Sequence, residues 1–317
     1  LLYISKFKNN IHKRRKEDRV MPNVTANGIQ IEYETFGENT SPPLLLIIGL
    51  GGQMIFWEEK LCKQLAEEGL YVIRFDNRDS GLSTKFDEAG VPDIMEVFTA
   101  RMKGEEITAP YTLDDMADDA VGLLEALGIE KAHICGMSMG AAIAQTIAMR
   151  HHSYVLSLIS IYGTTGNPEL PQPKPEAYKV FIIPQPEERE ASIQHFINGF
   201  KTLAGPGFPF DEQWHRKIAG QSYDRAFYPQ GVALQLAAIV AHGNRKPALA
   251  SVTASTLVIH GTDDPIVLVE GGKDTAEAIP GAELLLIEGM GHDLPTGKGA
   301  WPQIIDAIIA HTRKVTT

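Results

Sequence analysis

A recurring set of short, predominantly apolar runs, each closed by glycine or aspartate and followed by a longer amphipathic stretch, restricts what this chain can fold into. LLLIIG (44–49), LYVIRFD (70–76), KAHICG (131–136), STLVIHG (255–261) and AELLLIEG (282–289) share this form. Runs with so little polar alternation suit central strands covered on both faces. GIQIEYETFG, from residue 28, alternates apolar and polar residues instead, as a half-exposed strand does. Helical periodicity covers roughly 54–68, 112–127, 138–151, 268–279 and 300–313. Thr112 before Asp114 and Asp115 reads as an N-cap with acidic residues at the positive helix end. This alternation predicts an α/β fold: a mostly parallel central sheet flanked by helices, with right-handed crossovers.

One segment interrupts the pattern. From about 163 to 250 the chain is rich in proline and aromatics, as in NPELPQPKPEAY, GPGFPFDEQW and SYDRAFYPQG. It reads as a helical cap inserted into a core made of 21–162 and 251–317, placed to cover a site at the strand ends. Residues 1–20 differ again. They hold seven Lys/Arg against two Asp/Glu, a charge of +5, so the other 297 residues carry −16 of the chain's −11 total. We read 1–20 as a basic extension outside the fold, with Met21 as a natural start.

The acidic body argues against nucleic acid or an anionic membrane as partner, and no stretch has the length of a membrane span. Cys62 and Cys135 fit neither a metal site nor a disulfide framework, so we expect a cytoplasmic, reducing environment.

Gly136-Met137-Ser138-Met139-Gly140 matches G-x-S-x-G between a strand pattern and a helix pattern. A serine lifted above a sheet needs a very sharp turn. The positions two before and two after it must lack bulk, because strand and helix nearly touch there. Ser138 would then open the helix, with its hydroxyl at the positive dipole end. A serine hydroxyl needs a base, and ten histidines are available. His133 lies within a strand, His151 and His152 close a helix, and His260 ends a strand. His292, in GMGHDLP, sits in the loop leaving the last strand, where ligand-facing residues collect. The acid should also follow a strand, and HGTDDPIV offers Asp263 and Asp264. Asp264 is favoured because the following proline holds it extended. The order Ser138, Asp264, His292 is the one expected for a nucleophile on this strand-turn-helix architecture.

Negative charge on the substrate oxygen calls for two backbone donors. One is the N–H of Met139, directly after the serine. The other comes from Gly49-Leu50-Gly51-Gly52, where Leu50 is favoured and Gly49 and Gly51 stay open. Arg78 and Asp79 read as a substrate anchor or as an ion-paired loop brace, with the brace favoured. Met54, Phe56 and Trp57 suit a pocket wall or the core equally, as do Trp214 and the other aromatics of the insertion.

Together these residues resemble the α/β-hydrolase superfamily from about residue 26 to the C-terminus. VIRFDNRDSGLST, HICGMSMGAAIAQTIAM, LVIHGTDDPIV and IEGMGHDLPTG are similar to the aclacinomycin methylesterase group within it. The resemblance implies cofactor-free hydrolysis of small carboxylic esters, short-acyl or methyl, with Ser138, Asp264 and His292 as the triad. Ile48 stands where the superfamily often has histidine before the oxyanion-loop glycine. Lipase, acyltransferase, C–C hydrolase, proline iminopeptidase, perhydrolase and a non-catalytic receptor are the rival readings. Dehalogenase and epoxide hydrolase chemistry would call for aspartate at 138.

Overall fold

The computed structural model describes residues 22–294, 296 and 299–316. The basic segment 1–20 and Met21 lie outside the described residues. Strands β1 (Asn23–Ala26), β2 (Ile29–Phe36), β3 (Pro43–Ile47), β4 (Tyr71–Phe75), β5 (Ala132–Met137), β6 (Val155–Ile161), β7 (Ser255–Gly261) and β8 (Glu283–Ile287) form one sheet. Its order is β1-β2-β4-β3-β5-β6-β7-β8. The β1–β2 and β2–β4 pairs are antiparallel, and the pairs from β4 across to β8 are parallel. The expected α/β architecture with a mostly parallel sheet is what the chain adopts.

The helices, in chain order, are α1 (Glu59–Glu67), α2 (Ile94–Lys103), α3 (Leu113–Ala126), α4 (Met139–Arg150), α5 (Pro175–Ile182), α6 (Arg189–Leu203), α7 (Glu212–Arg225), α8 (Gln230–His242), α9 (Lys246–Leu249), α10 (Val269–Ala278) and α11 (Trp301–Thr316). The apolar runs are continuous because both sheet faces are covered. Leu45 and Ile47 of β3 pack with Leu113 and Leu124 of α3 and with Ile143 and Ile147 of α4. Leu44 and Leu46 point the other way, toward Leu61 and Leu65 of α1 and Ile304 and Ile308 of α11. Burial of each such side chain stabilises the fold by about 1.5–3 kcal/mol before entropy is counted.

Some elements differ from the sequence expectation. The helix expected over 54–68 is a 3-10 turn at Met54–Phe56 followed by α1. The break falls at Trp57, whose carbonyl accepts from the buried Arg74 guanidinium and the Cys62 thiol rather than continuing a helix. β6 was not among the apolar runs, because Ser157 and Ser160 interrupt VLSLISI. Both serines are fully buried and satisfied, Ser157 by His133 Nδ1 at 2.8 Å and Ser160 by the Gln145 amide at 3.3 Å.

Residues 163–250 hold α5 to α9, and the chain re-enters the sheet at β7. The carboxyl ends of β3, β5, β7 and β8 all open on one rim of the sheet, the side from which loops 48–53, 138, 262–268 and 288–294 emerge.

Candidate active site

β5 ends at Met137 and α4 begins at Met139, so Ser138 alone makes the turn, at φ 55° and ψ −120°. A non-glycine residue there carries about 1–3 kcal/mol of strain. Bonds on both sides hold it. The Ser138 N–H donates to the Ile161 carbonyl at 3.0 Å, and its own carbonyl accepts from Ala141 and Ala142. The flanking glycines are required by contact. A Cβ on Gly136 would lie 2.0 Å from the Gly140 carbonyl oxygen, and one on Gly140 would lie 2.2 Å from that of Ile47.

The loop after β7 presents Asp264, whose Oδ1 accepts the N–H groups of Ile266 and Val267, each at 2.9 Å. Its Oδ2 lies 2.6 Å from Nδ1 of His292, in the loop after β8. Both side chains are buried. Asp263, the other aspartate considered, is exposed and bonds the Thr262 hydroxyl at 2.7 Å. Because an ionised carboxylate only accepts, His292 donates from Nδ1 and its Nε2 is left as the acceptor. The histidine loop is tied down by the His292 N–H, which donates to the Leu203 carbonyl of α6 at 2.9 Å.

Tyr162, just past β6, was not singled out from the sequence. Its ring lies 4.3 Å from that of His292, and its hydroxyl donates to the Asp293 carbonyl at 3.1 Å. Burial pushes the Tyr162 phenol well above its ordinary range, so it stays neutral. The sequence signal for it was its position at a strand end, hidden because β6 itself was unread. His260 stands 3.8 Å from Asp264 and bonds the Val267 carbonyl at 2.7 Å. Burial lowers its pKa, so it remains neutral beside the acid loop.

Ser138 and His292 line one small cavity of about 40 Å³ together with Gly49, Leu50, Tyr162 and Leu294. Among the described residues the Ser138 hydroxyl makes no hydrogen bond to the ring, a contact that often tightens only when substrate binds. Gly49 to Gly52 form a tight turn closed by the Gly52 N–H on the Gly49 carbonyl at 3.1 Å. A Cβ on Gly49 would lie 3.1 Å from that of Ser138, so the turn abuts the serine. The Gly51 N–H is committed to Gln235 Oε1 at 2.8 Å. The N–H groups of Leu50 and Met139 have no acceptor among the described residues.

A larger cavity of about 490 Å³ adjoins the first beneath the insertion and shares Leu50, Phe56, Phe181 and Phe200 with it. Phe196, Tyr223, Phe227 and Tyr228 extend its aromatic wall. Phe56 is therefore a wall residue, whereas Met54 and Trp57 are fully buried core, Trp57 packing edge-on against Trp301 at 5.6 Å. Trp214 packs against the core beside α11's cluster and lines neither cavity. Arg78 is a brace, but its partner is Asp119 of α3, at 2.6 and 2.7 Å, rather than Asp79. Asp79 accepts the Phe86 N–H at 2.7 Å, and burial raises its pKa.

Residues 42–295 match the family model described as alpha/beta hydrolase fold. The chain belongs to this family. It is 28% identical to the rhodomycin D methylesterase DauP of Streptomyces sp. (strain C5), over 92% of this chain and 98% of that protein. The rhodomycin D methylesterase DnrP of Streptomyces peucetius matches at 28% with the same coverage. Among solved structures, the enol-lactonase from Burkholderia xenovorans LB400 superposes with a TM-score of 0.66 at 20% identity, covering 93% of this chain and 99% of that one. The two methylesterase matches agree with the resemblance to the methylesterase group read from the motifs, and the solved structure shares the fold. Among the described residues, no helix is long and apolar enough to cross a membrane, and no cluster of His, Cys, Asp and Glu could hold a metal ion.

Proposed function

We propose that this protein is a serine carboxylesterase that removes a methyl-sized alcohol from a bulky carboxylic acid through an acyl-enzyme. Ser138 attacks the ester carbonyl, and His292 takes its proton and passes it to the departing alcohol. Asp264 holds the imidazole and stabilises its charged form. The N–H groups of Leu50 and Met139 receive the negative oxygen of the tetrahedral intermediate, each contributing roughly 3–4 kcal/mol to that state. Water activated by His292 then clears the acyl group.

The observation that carries this reading is the Asp264–His292 pair at 2.6 Å, with the same imidazole and Ser138 lining one cavity. The methyl-ester assignment draws on the names of the two methylesterase relatives and on the unequal cavities, about 40 and 490 Å³. A small group fits beside the serine, and a large aromatic body fits under the insertion. A short-acyl ester of a bulky alcohol is the mirror arrangement. Comparing methyl 2-naphthylacetate with 2-(2-naphthyl)ethyl acetate separates the two, because both leaving groups are unactivated alcohols. The methyl ester should give the higher kcat/KM; a preference for the acetate would reverse the assignment.

A further inference from the structure

Gln235 sits on α8, within the insertion, and is fully buried. Its side-chain oxygen accepts the Gly51 N–H at 2.8 Å, and its amide nitrogen donates to the Arg78 carbonyl at 2.8 Å. One bond is accepted by the oxygen and the other donated by the nitrogen, so the amide has one orientation and cannot flip without losing both. Gly51 is in the left-handed region at φ 65°, and a Cβ there would lie 2.8 Å from Val232, one turn earlier on the same helix. The turn is thus clamped by α8 through a polar and a steric contact.

Within that turn the Leu50 N–H belongs to the Gly49–Leu50 peptide, and both that peptide and the next one are held in place. The Gly49 carbonyl is held by the Gly52 N–H, and the Leu50–Gly51 peptide is held by Gln235. Rotation of the second peptide would swing the Leu50 carbonyl oxygen out of its place and reorient the turn. A carbonyl oxygen turned toward the substrate oxygen would repel the charge that a donor there should stabilise. The neighbouring anchors of the insertion serve the adjacent loop, not this peptide: Gln53 caps α7 by donating to the Ser222 and Ala226 carbonyls, and Arg225 ion-pairs with Asp76 at 2.6 Å.

We propose that Gln235 is a positioning residue, through which the insertion sets the oxyanion turn and so couples the cover over the substrate to the reacting centre. The inference rests on the esterase reading given above. It differs from a packing role because its effect reaches the transition state and is not confined to stability or ground-state binding.

The test compares wild type with Gln235→Met, which keeps the length but loses both hydrogen bonds, and Gln235→Glu, which keeps an acceptor for Gly51. Measured are kcat and KM on methyl 2-naphthylacetate, affinity for a trifluoromethyl ketone that forms an oxyanion on serine, and the thermal midpoint. The methionine variant should lose about ten- to a hundredfold in kcat, less than outright removal of a donor. Ketone affinity should fall in parallel, while KM stays within about twofold. The glutamate variant should recover most of kcat. Should the methionine variant not fold, Gln235→Asn, too short to reach Gly51, replaces it in the same comparison. Unchanged kcat and ketone affinity, or a loss confined to KM and thermal midpoint, would overturn the proposal. Labelling of Ser138 in wild type by a fluorophosphonate separates this from the esterase reading. With labelling intact, a silent Gln235 variant defeats only the present inference; without labelling, the esterase reading itself fails.

Discussion

Asp264 has each carboxylate oxygen assigned: Oδ1 to two backbone N–H groups and Oδ2 to His292. An amide in its place would still accept on one side but would turn N–H donors toward the backbone or toward the imidazole. The histidine would then lose the tautomer that leaves Nε2 free to take a proton. Asp264→Asn should therefore lower kcat by about 10³–10⁴ with a modest change in KM. Steady-state kinetics on the methyl ester check this; a loss under tenfold would mean that Asp264 does not orient the base. His260 is the nearby alternative partner at 3.8 Å, but its nitrogen is already bound to the Val267 carbonyl, so it braces the loop and does not compete.

The turn from β5 into α4 shows how far a sequence can be read. G-x-S-x-G predicted a crowded strand-to-helix turn, and the crowding is direct: Gly136 and Gly140 each face a carbonyl at about 2 Å from where a Cβ would sit. Backbone cannot yield as a flexible side chain does, so Gly136→Ala should destabilise the protein by several kcal/mol, roughly 3 or more. Urea unfolding measures this, and a midpoint within error of wild type would contradict the steric account. The long apolar strands were legible because their composition follows directly from burial on both faces. β6 was not, since Ser157 and Ser160 are neutralised by partners on β5 and α4 that no local pattern reveals. Tyr162 was lost with it. The pairing of Arg78 with Asp119 likewise depends on a residue 41 positions away. Asp264 was preferred from its proline neighbour, and the geometry sets it, not Asp263, against His292. Which N–H of the Gly49–Gly52 turn is left without an acceptor could not be read, because the commitment of the Gly51 N–H comes from an insertion helix 184 residues on.

Across the molecule, several histidines are buried as neutral groups. Burial, aided by the charge of His311, lowers the pKa of His133 from 6.5 to about 4. Burial foremost also lowers that of His242 to about 4, and those of His215 and His260 move the same way. The unfolded chain binds protons at these sites that the folded chain does not, so their contribution falls as the pH drops from about 6.5 toward 4. Asp79 and Asp293, raised by burial, act in the opposite sense, so the clean test is a difference. Wild type should lose about 2 kcal/mol more than His133→Asn between pH 7.5 and pH 5 in urea unfolding. Equal losses in the two proteins would show that His133 titrates normally in the fold.

Everything in the proposed mechanism passes through the one strained residue between β5 and α4. Ser138→Ala removes a single oxygen from that half-buried position and leaves the turn's backbone bonds and the Asp264–His292 pair in place. The decisive measurement is hydrolysis of methyl 2-naphthylacetate by this variant, with circular dichroism confirming that it is folded. The account predicts a loss of at least about 10⁴ in kcat together with the disappearance of fluorophosphonate labelling. Hydrolysis at the wild-type rate by a folded Ser138→Ala protein would contradict it.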